Sequence, residues 1–499
     1  MTDYGRKFIQ GTIIVLFFSL ISAILGFFLK TIMARTIDVE TIGLFFSVLG
    51  FITFFTFLRD LGLSDSLVYF LPLFKQKNNK KEIKRAILLT LKTQFFFGFL
   101  FFLLFIIFSN FLTENYFKNQ NAVYLIIFLG LYFFLDGIHE TLMRIFHGYK
   151  NYFYMQAIDF SFQFFSSLFL IYSIIFLKNV LFFALSYIIA EIITIIIFSF
   201  VFFKKFFPDF FSIKITKNKK QEKKLFNFSI PTMIATIGEL SYSQQTIFFL
   251  TFFSGLESVG YYVLVNSLAK LSVFLYKATS RVFSPLITEM WIKKDYEKLN
   301  YYFKEQFILI FSIAIPSSFI LIFFSEIVIN LIYGTKYENV SNILFISSIV
   351  VLLQLFNNFF NHLSMGIGKP KFYRNNVYIK TMFNFIFNLF LIPKFGLIGA
   401  VFSDLLSVIF ATAHILYFVL SLKKFFIPIK EFFYLFLSGI AFVFSILFLK
   451  NIFSLNPYLE MIFVLFLSGI IYLSSLFITK TYSIKKFFSI FYSIFGKQK

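Results

Sequence analysis

Cysteine is absent and charged residues are scarce in this 499-residue chain, and the two shortages exclude several classes of protein. Without cysteine there is no disulfide, no thiolate metal site and no cysteine nucleophile. Charged residues make up 14% of the chain and hydrophobic residues 59%, whereas a soluble domain carries about 25% charged residues. The surface of such a chain cannot be covered by its own polar residues, and we therefore expect a membrane protein.

Catalytic and nucleotide-binding motifs are also missing. There is no GxxxxGK[ST] phosphate loop, which argues against ATP hydrolysis, and there is no HExxH or GxSxG motif. The four histidines are isolated from one another along the sequence, and we interpret them as structural residues: His139, His147, His362 and His414. We predict that the chain is not an enzyme and that it holds no cofactor or metal centre.

Long apolar runs recur along the whole chain. A helix needs about 20 apolar residues to cross a bilayer, and fourteen runs approach or exceed that length. The predicted spans lie at about 11–33, 41–63, 86–108, 121–142, 153–177, 179–203, 228–252, 257–280, 305–325, 341–363, 376–393, 397–421, 431–449 and 457–479. The predicted fold class is an all-α polytopic membrane protein, with two parallel six-helix lobes and two C-terminal helices.

The net charge of +22 could indicate nucleic-acid binding, but the positions of the charges favour another explanation. If the N-terminus is cytoplasmic, the cytoplasmic segments hold about 34 Lys and Arg residues and the external segments about 7. This asymmetry follows the positive-inside rule. We predict a cytoplasmic membrane location with both termini in the cytoplasm, contact with anionic membrane lipids, and no nucleic-acid partner.

Weak internal similarity indicates two tandem repeats. Glu40 and Gly43 align with Glu257 and Gly260 at an offset of 217 residues, and two further segments match at nearly the same offset. Both repeats start on the cytoplasmic side, so they are parallel. The predicted organisation is an N-lobe at 1–203, a basic cytoplasmic linker at 204–227, a C-lobe at 228–421, and two helices with a basic tail at 422–499.

The eighth span carries a basic stripe. Asn266, Lys270, Lys277 and Arg281 are spaced by four, seven and four residues, which places them on one face of a helix. Snorkelling of side chains at a helix end explains Arg281 well and Lys277 in part. It explains Lys270 poorly, because that residue lies about halfway along the span. A cationic face on a water-filled cavity is the interpretation we favour.

Polar residues also line the second and seventh spans. In the second span they are Thr53, Thr56, Arg59 and Asp60, although the last two could simply mark the cytoplasmic helix end. In the seventh span they are Thr236, Glu239 and Ser243. Small and hydroxyl residues often serve only to pack helices together, but a carboxylate near the membrane centre needs a partner, a proton or water. We predict that spans 1, 2, 7 and 8 line a cavity that accepts an anionic substrate.

Several segments resemble the multidrug/oligosaccharidyl-lipid/polysaccharide exporter superfamily, and within it the polysaccharide-type flippases. They are the ETIGLFF and ESVGYY segments, LRDLGLSDSLVYFLP, GIGKPKFYRNN and, above all, NLFLIPKFGLIGAVFSDLLS at 388–407. The resemblance implies two six-helix lobes, alternating access and a central cavity formed by spans 1, 2, 7 and 8. It also implies outward transport of a polyprenyl-diphosphate-linked sugar, with Arg59, Lys270 and Lys277 as positions that could hold the diphosphate.

Three functions remain open on the sequence alone. The first is flipping of a lipid-linked oligosaccharide or polysaccharide precursor, with glycosyltransferases or a glycan polymerase as partners. The second is cation-coupled export of drugs or organic cations, which Glu239 and Asp60 would suit. The third is a membrane scaffold or transferase, which the missing catalytic residues disfavour. A coupling ion, Na⁺ or H⁺, is compatible with either kind of transport, and the basic stripe favours the first function.

Overall fold

The computed structural model describes residues 3–216, 218–273, 276, 287–422, 428–452 and 456–479. Within these ranges the chain is helical and contains no strand. Sixteen α-helices are numbered here in chain order. They are α1 Asp3–Thr36, α2 Val39–Phe54, α3 Thr56–Asp60, α4 Leu63–Gln76, α5 Lys80–Leu112, α6 Ala122–Gly148, α7 Tyr152–Tyr172, α8 Val180–Val201, α9 Lys219–Phe253, α10 Leu256–Ala269, α11 Tyr296–Phe323, α12 Ser325–Ile332, α13 Ser341–Gly366, α14 Pro370–Leu420, α15 Ile429–Ile452 and α16 Pro457–Ile478.

Eleven helical stretches of the described residues are long and apolar enough to cross a membrane. One of them, α14, contains two predicted spans, because its backbone leaves the helical conformation at Gly396 (φ 55°, ψ −129°). The eleven stretches therefore contain twelve of the fourteen predicted spans. The other two fall on α9 and on the segment that begins with α10. The prediction of an all-helical polytopic membrane protein is confirmed.

The chain packs as two units. The first comprises Met1–Leu264 and Val377–Ser407, and the second comprises Val265–Asn376 and Val408–Lys499. The middle of α14 thus packs with helices that precede it by more than a hundred residues. The first unit includes α9 and most of α10, which the sequence analysis assigned to the C-lobe.

The 388–407 motif forms a tight turn inside the first unit. Ile392 and Ala400 are buried in a small core with Leu250 of α9 and Val259 of α10. Gly399 is required there, because a Cβ at this position would lie 2.3 Å from the carbonyl oxygen of Leu391. The motif therefore brings the two halves of α14 together against the start of the second repeat.

Each of the two aligned glycines packs against the helix that carries the other one. A Cβ on Gly43 of α2 would lie 1.8 Å from the carbonyl oxygen of Leu256, and a Cβ on Gly260 of α10 would lie 2.2 Å from the carbonyl oxygen of Val39. Val39 and Leu256 are themselves 217 residues apart, so the contact is reciprocal. The helix starts of the two repeats cross at backbone distance, and both glycines are needed for that crossing.

The basic segment before α9 is folded onto the first unit. Phe207 and Phe210 are buried in a core that also contains residues of α4, α5, α6 and α8. Lys84 of α5 donates to the carbonyl oxygens of Phe210 and Ile213, and Arg85 donates to that of Thr216 at 2.9 Å. The start of α5 therefore supplies donors for carbonyls that a loop would otherwise leave unpaired.

Candidate functional site

The polar part of the second span lies where its helix breaks. Helix α2 ends at Phe54, and α3 is followed by a turn in which Leu61 and Gly62 take positive φ values of 49° and 71°. A Cβ on Gly62 would lie 2.3 Å from the carbonyl oxygen of Ser229, so glycine lets this turn approach α9. Thr53 donates to the carbonyl oxygen of Leu49 and Thr56 to that of Thr53, both in α2. Both threonines are half-buried.

Arg59 is fully buried and bound to two carboxylates. Its guanidinium lies 2.7 Å from Asp136 and 3.2 Å from Glu140, both on α6. It also donates to the carbonyl oxygen of Phe133 and stacks on that residue's ring, 4.7 Å from the centroid. In this conformation the guanidinium is occupied by residues of its own unit, so its role in holding a diphosphate stays a prediction.

Asp60 caps the following helix. It accepts from the backbone N–H of Ser64 at 3.1 Å and from its hydroxyl at 2.5 Å, at the start of α4. The amide of Gln94 on α5 donates to the Asp60 carboxylate at 2.9 Å. A buried carboxylate that accepts three hydrogen bonds is stabilised where it lies. Its role as a cavity residue stays a prediction.

Helix α6 also carries His139, which the sequence analysis interpreted as a structural residue. His139 lies 3.1 Å from Asp159 of α7 through Nε2 and 3.1 Å from Glu191 of α8 through Nδ1. Glu191 is fully buried, whereas Asp159 is about half exposed. Separately, Arg144 pairs with Glu140 at 3.6 Å and thereby extends the Arg59 network to Asp65 of α4 at 3.0 Å. The isolated histidine in the sequence is thus part of an ion network, which only the packing of three helices creates.

The predicted polar residues of the seventh span differ in their exposure in the structure. Glu239 and Ser243 are on the exposed side of α9, and Thr236 is half-buried. The hydroxyls of Thr236 and Ser243 donate to carbonyls of α9 itself, at 3.1 and 2.9 Å. Hydroxyls satisfied within their own helix are compatible with either a cavity wall or a packing surface, so these three residues remain cavity predictions.

The basic stripe of the eighth span begins at a helix end. Asn266 is half-buried on α10, which ends at Ala269, and Lys270 starts a 3₁₀ turn with its side chain exposed. Lys277 and Arg281 lie outside the described residues. A change from α-helix to 3₁₀ geometry often marks a functional hinge or a strained segment, and here it coincides with the lysine that snorkelling explains least well.

A second polar cluster lies between α9, α10 and the two halves of α14, and the sequence analysis did not identify it. Asp404 accepts from Asn384 at 2.8 Å, from the hydroxyl of Tyr262 at 2.7 Å and from Thr246 at 3.3 Å. Gln245 donates to the side-chain oxygen of Asn384 at 2.5 Å. Asn384 and Thr246 are buried. A signal was available in the sequence, because two asparagines four residues apart lie inside an apolar run at 384 and 388.

The chemistry of this cluster suits a small hard cation better than an anion. It presents one carboxylate together with amide and hydroxyl oxygens, which are the ligands that such cations prefer. No group of three or more His, Cys, Asp or Glu side chains arranged to hold a metal ion occurs in the described part of the chain. The cluster therefore lacks the charge expected of a structural divalent-metal site.

An apolar cavity lies next to this cluster in the first unit. Its volume is about 570 Å³. The lining residues are Phe54, Ser241, Gln245, Phe248, Phe249, Tyr378, Ile379, Thr381, Met382 and Phe385. Five of these ten are Phe or Met side chains beside α9 and α14, so the cavity could accommodate a hydrocarbon chain or an aromatic group.

Comparison with models of protein families shows which family the chain belongs to. The model of a family described as polysaccharide biosynthesis proteins matches residues 32–342. The chain belongs to this family. The match covers α2 to α12 and includes the charged residues around Arg59 and His139, whereas Asn384 and Asp404 of the amide cluster lie beyond it.

Relatives and solved structures agree with the family. The chain is 26% identical over 473 residues to an uncharacterised membrane protein of Methanocaldococcus jannaschii, covering 92% of this chain and 93% of the relative. It is 21% identical over 188 residues to Agl15 of Haloferax volcanii, a "probable low-salt glycan biosynthesis flippase", covering 38% of this chain and 40% of the relative.

Two kinds of solved transporter share the fold. The lipid II flippase MurJ, in an inward closed conformation, matches with a TM-score of 0.73 at 16% identity over 96% of this chain and 99% of the other. An inward-facing multidrug transporter of the MATE family matches with a TM-score of 0.67 at 16% identity over 83% and 99%. These two likenesses show the fold, and the family match confirms the resemblance to the polysaccharide-type branch.

Proposed function

We propose that this protein flips a polyprenyl-diphosphate-linked oligosaccharide or polysaccharide precursor from the cytoplasmic to the outer leaflet by alternating access. The observation that carries the proposal is membership of the polysaccharide biosynthesis family over most of the first repeat and more than half of the second. A chain with eleven or more membrane-spanning stretches and no catalytic motif in its sequence suits the transport step of such a pathway.

Two named relatives support a lipid-linked glycan as the substrate class. One is the "probable low-salt glycan biosynthesis flippase" of H. volcanii, and the other is the lipid II flippase, which has the same fold. A lipid-linked glycan combines a large polar headgroup with an anionic diphosphate. The protein must therefore carry a polar group through hydrocarbon while neutralising its charge.

The basic stripe is the part of the chain best suited to a diphosphate. Lys270 is exposed where α10 gives way to a 3₁₀ turn, and Lys277 and Arg281 follow on the same predicted face. Opposite charges about 4 Å apart attract by roughly 4 kcal/mol at an effective dielectric constant of 20, before desolvation is counted. Arg59 and Asp60 belong to this proposal only in a conformation that releases them from their partners.

Charge reversal tests the proposal. We expect Lys270→Glu and Lys277→Glu each to abolish surface display of the glycan in a complementation assay, because attraction of the diphosphate becomes repulsion. Lys270→Arg should retain display, since it keeps the charge, and Lys270→Ala should lose it with an unchanged protein level. Lys118→Glu, at an exposed turn after α5, is the matched control. Normal display by both glutamate variants would contradict the anionic-substrate proposal.

Export of organic cations is the alternative, and the fold shared with multidrug transporters favours it. The aromatic cavity of about 570 Å³ beside α9 is the feature a drug exporter would use. For such an exporter, Lys270→Glu should leave efflux of a cationic dye intact or increase it. Dye efflux measured on the same variants therefore separates the two functions.

The location and the coupling ion belong to the proposal as well. We place the protein in the cytoplasmic membrane with both termini in the cytoplasm, working with glycosyltransferases or a polymerase. Asp404 and its amide partners are a candidate binding site for a coupling cation, Na⁺ or H⁺. If that is so, Asp404→Asn should remove the dependence of transport on the ion gradient while leaving the neutral hydrogen-bond network in place.

A further inference from the structure

Helix α5 presents an apolar face on the outside of the first unit, and one lysine interrupts it. Phe95 and Phe96 are 60% and 64% exposed, and Phe99 is 45% exposed. Rings exposed in this way on a membrane-spanning helix face lipid. Lys92 precedes this patch by less than one turn and is also exposed. It is therefore a cation on a surface that otherwise contacts hydrocarbon.

The depth of Lys92 places its amine near lipid phosphates. The residue lies twelve positions after Lys80, where α5 begins, which corresponds to about 18 Å at 1.5 Å per residue. It lies about 9 Å inside the predicted apolar run that begins near residue 86. A lysine side chain can bridge much of that distance by extending towards the interface. No salt bridge to Lys92 is found among the described residues.

A cavity of about 400 Å³ opens beside this lysine, between α5 and α6. Leu91, Lys92, Gln94 and Phe95 line it from α5, and Phe134, Gly137 and Ile138 line it from α6. Gly137 is required in this wall, because a Cβ there would lie 2.7 Å from Oε1 of Gln94. The cavity is thus mostly apolar, with a cation on one side and an amide in its wall.

The amide of Gln94 has a fixed orientation and an acceptor that lacks a donor. Its Nε2 donates to Asp60 at 2.9 Å and to Ser64 at 2.8 Å. Reversing the amide would bring its oxygen against the Asp60 carboxylate, so Oε1 must point away from Asp60, towards α6. Oε1 is buried and has no hydrogen-bond partner among the described residues. A buried acceptor without a donor is unfavourable by about 1–3 kcal/mol.

We propose that this cavity binds an anionic phospholipid whose headgroup carries hydroxyl groups, of the phosphatidylglycerol kind. The phosphate pairs with Lys92, a headgroup hydroxyl donates to Oε1 of Gln94 after a small opening of the wall, and a lipid chain lies along Phe95. Phosphatidylcholine cannot satisfy both groups, because its quaternary ammonium repels Lys92 and has no N–H or O–H to donate to Oε1 of Gln94. The site is distinct from the basic stripe proposed for transport, although Gln94 also binds Asp60, and its test measures lipid binding and not transport.

Fluorescence quenching by brominated lipids tests the site. Trp291 is the single tryptophan of the chain, so Trp291→Phe combined with Phe95→Trp places one reporter in the cavity. We expect brominated phosphatidylglycerol to bind at this reporter roughly fivefold more tightly than brominated phosphatidylcholine, from about 1 kcal/mol per lysine near an anionic lipid. Lys92→Gln should remove that preference, and Lys92→Arg should keep it.

Two controls make each outcome decisive. A reporter at Ile470→Trp, on an exposed position of α16, should give a lipid preference that does not respond to Lys92→Gln. Phosphatidylmethanol, which is anionic but has no headgroup hydroxyl, should bind at the cavity reporter more weakly than phosphatidylglycerol. Equal quenching by the anionic and zwitterionic lipids, or a preference that survives Lys92→Gln, would overturn the site. Equal binding of the two anionic lipids would overturn the role of Gln94.

Discussion

The fourth span of the first repeat and its counterpart in the second carry polar side chains at matching positions but with different chemistry. Glu140 and Arg144 form an ion pair one helical turn apart at 3.6 Å. At the 217-residue offset these positions are Asn357 and Asn361, and Asn361 donates to Asn357 at 2.9 Å. The first repeat therefore uses charges where the second uses neutral amides.

The contrast extends to the neighbouring helices. Arg59 aligns with Tyr276, and both are buried. Asp159 aligns with Asn376, which is fully buried and receives a hydrogen bond from Asn361 at 2.8 Å. Breaking a buried ion pair leaves an uncompensated charge, whereas breaking an amide pair leaves only an unsatisfied dipole. The first repeat should therefore be the more sensitive of the two to loss of a partner where its ion pair is buried, as it is at Arg59.

Removal of Arg59 should have the largest effect on stability. Arg59→Ala leaves Asp136 and Glu140 without their shared cation, and we expect a loss of about 3–5 kcal/mol, measured as a lower melting temperature and yield in detergent. Tyr276→Phe, at the aligned position, is the control and should change little. Rescue by Asp136→Asn with Glu140→Gln should follow if charge is the cause. A stable Arg59→Ala protein would remove the contrast between the repeats.

Substitution of the aligned glycines tests a feature that the two repeats share, the close crossing of α2 and α10. Gly43→Ala and Gly260→Ala should each destabilise the protein by about 1–3 kcal/mol, because the new methyl group meets a backbone carbonyl that cannot rotate away. Gly469→Ala on α16 has nothing within 4 Å of the new Cβ and is the control. Thermal unfolding of the three variants measures this. Similar melting temperatures for all three would show that α2 and α10 do not cross as closely as the structure has them.

Burial, and not formal charge, should decide how much stability is lost when one member of an aligned pair is replaced by alanine. Asn361 is 3% exposed and donates to two buried amides, so Asn361→Ala should lower stability by about 1–2 kcal/mol. The Arg144 side chain is 30% exposed, and Arg144→Ala should lower it by less than about 1 kcal/mol. Denaturation of both variants under the same conditions gives the order of their stabilities. The reverse ranking would mean that the ion pair matters more than its exposure indicates.

Neutralising one acid should have the smallest effect. Around Arg59 and Arg144 lie four carboxylates, those of Asp60, Asp65, Asp136 and Glu140. Acids outnumber bases there, so Glu140→Gln removes repulsion while its amide oxygen still accepts from Arg59. We expect a change in stability within about 1 kcal/mol, read from the same melting experiment. A loss as large as that of Arg59→Ala would show that both carboxylates are needed to hold the guanidinium.

Much of the architecture could be predicted because length and hydropathy decide it. A run of 20 apolar residues has no stable alternative to crossing the bilayer as a helix, and the spans and their helical state follow from that. The repeat offset also carried structural information, since it identified Gly43 and Gly260, whose reciprocal contact joins α2 and α10. Local signals were sufficient for these features because each lies within one segment or in a pair of similar segments.

The environment of each candidate residue could not be predicted in the same way. Sequence spacing placed Arg59 and Asp60 on a polar face, but the break after Phe54 and the left-handed turn at Gly62 placed Arg59 against α6 and made Asp60 a helix cap. The Asp404 cluster draws on helices far apart in the chain, so no single segment displays it.

The sequence alone determined that this protein is a helical, multi-spanning membrane protein, because those properties depend on composition and on periodicity within single segments. Only the tertiary structure decided which polar groups neutralise one another, since that depends on which helices come within hydrogen-bonding distance. The His139 trio, the amide cluster at Asp404 and the cavity beside Lys92 all arise from such contacts between helices.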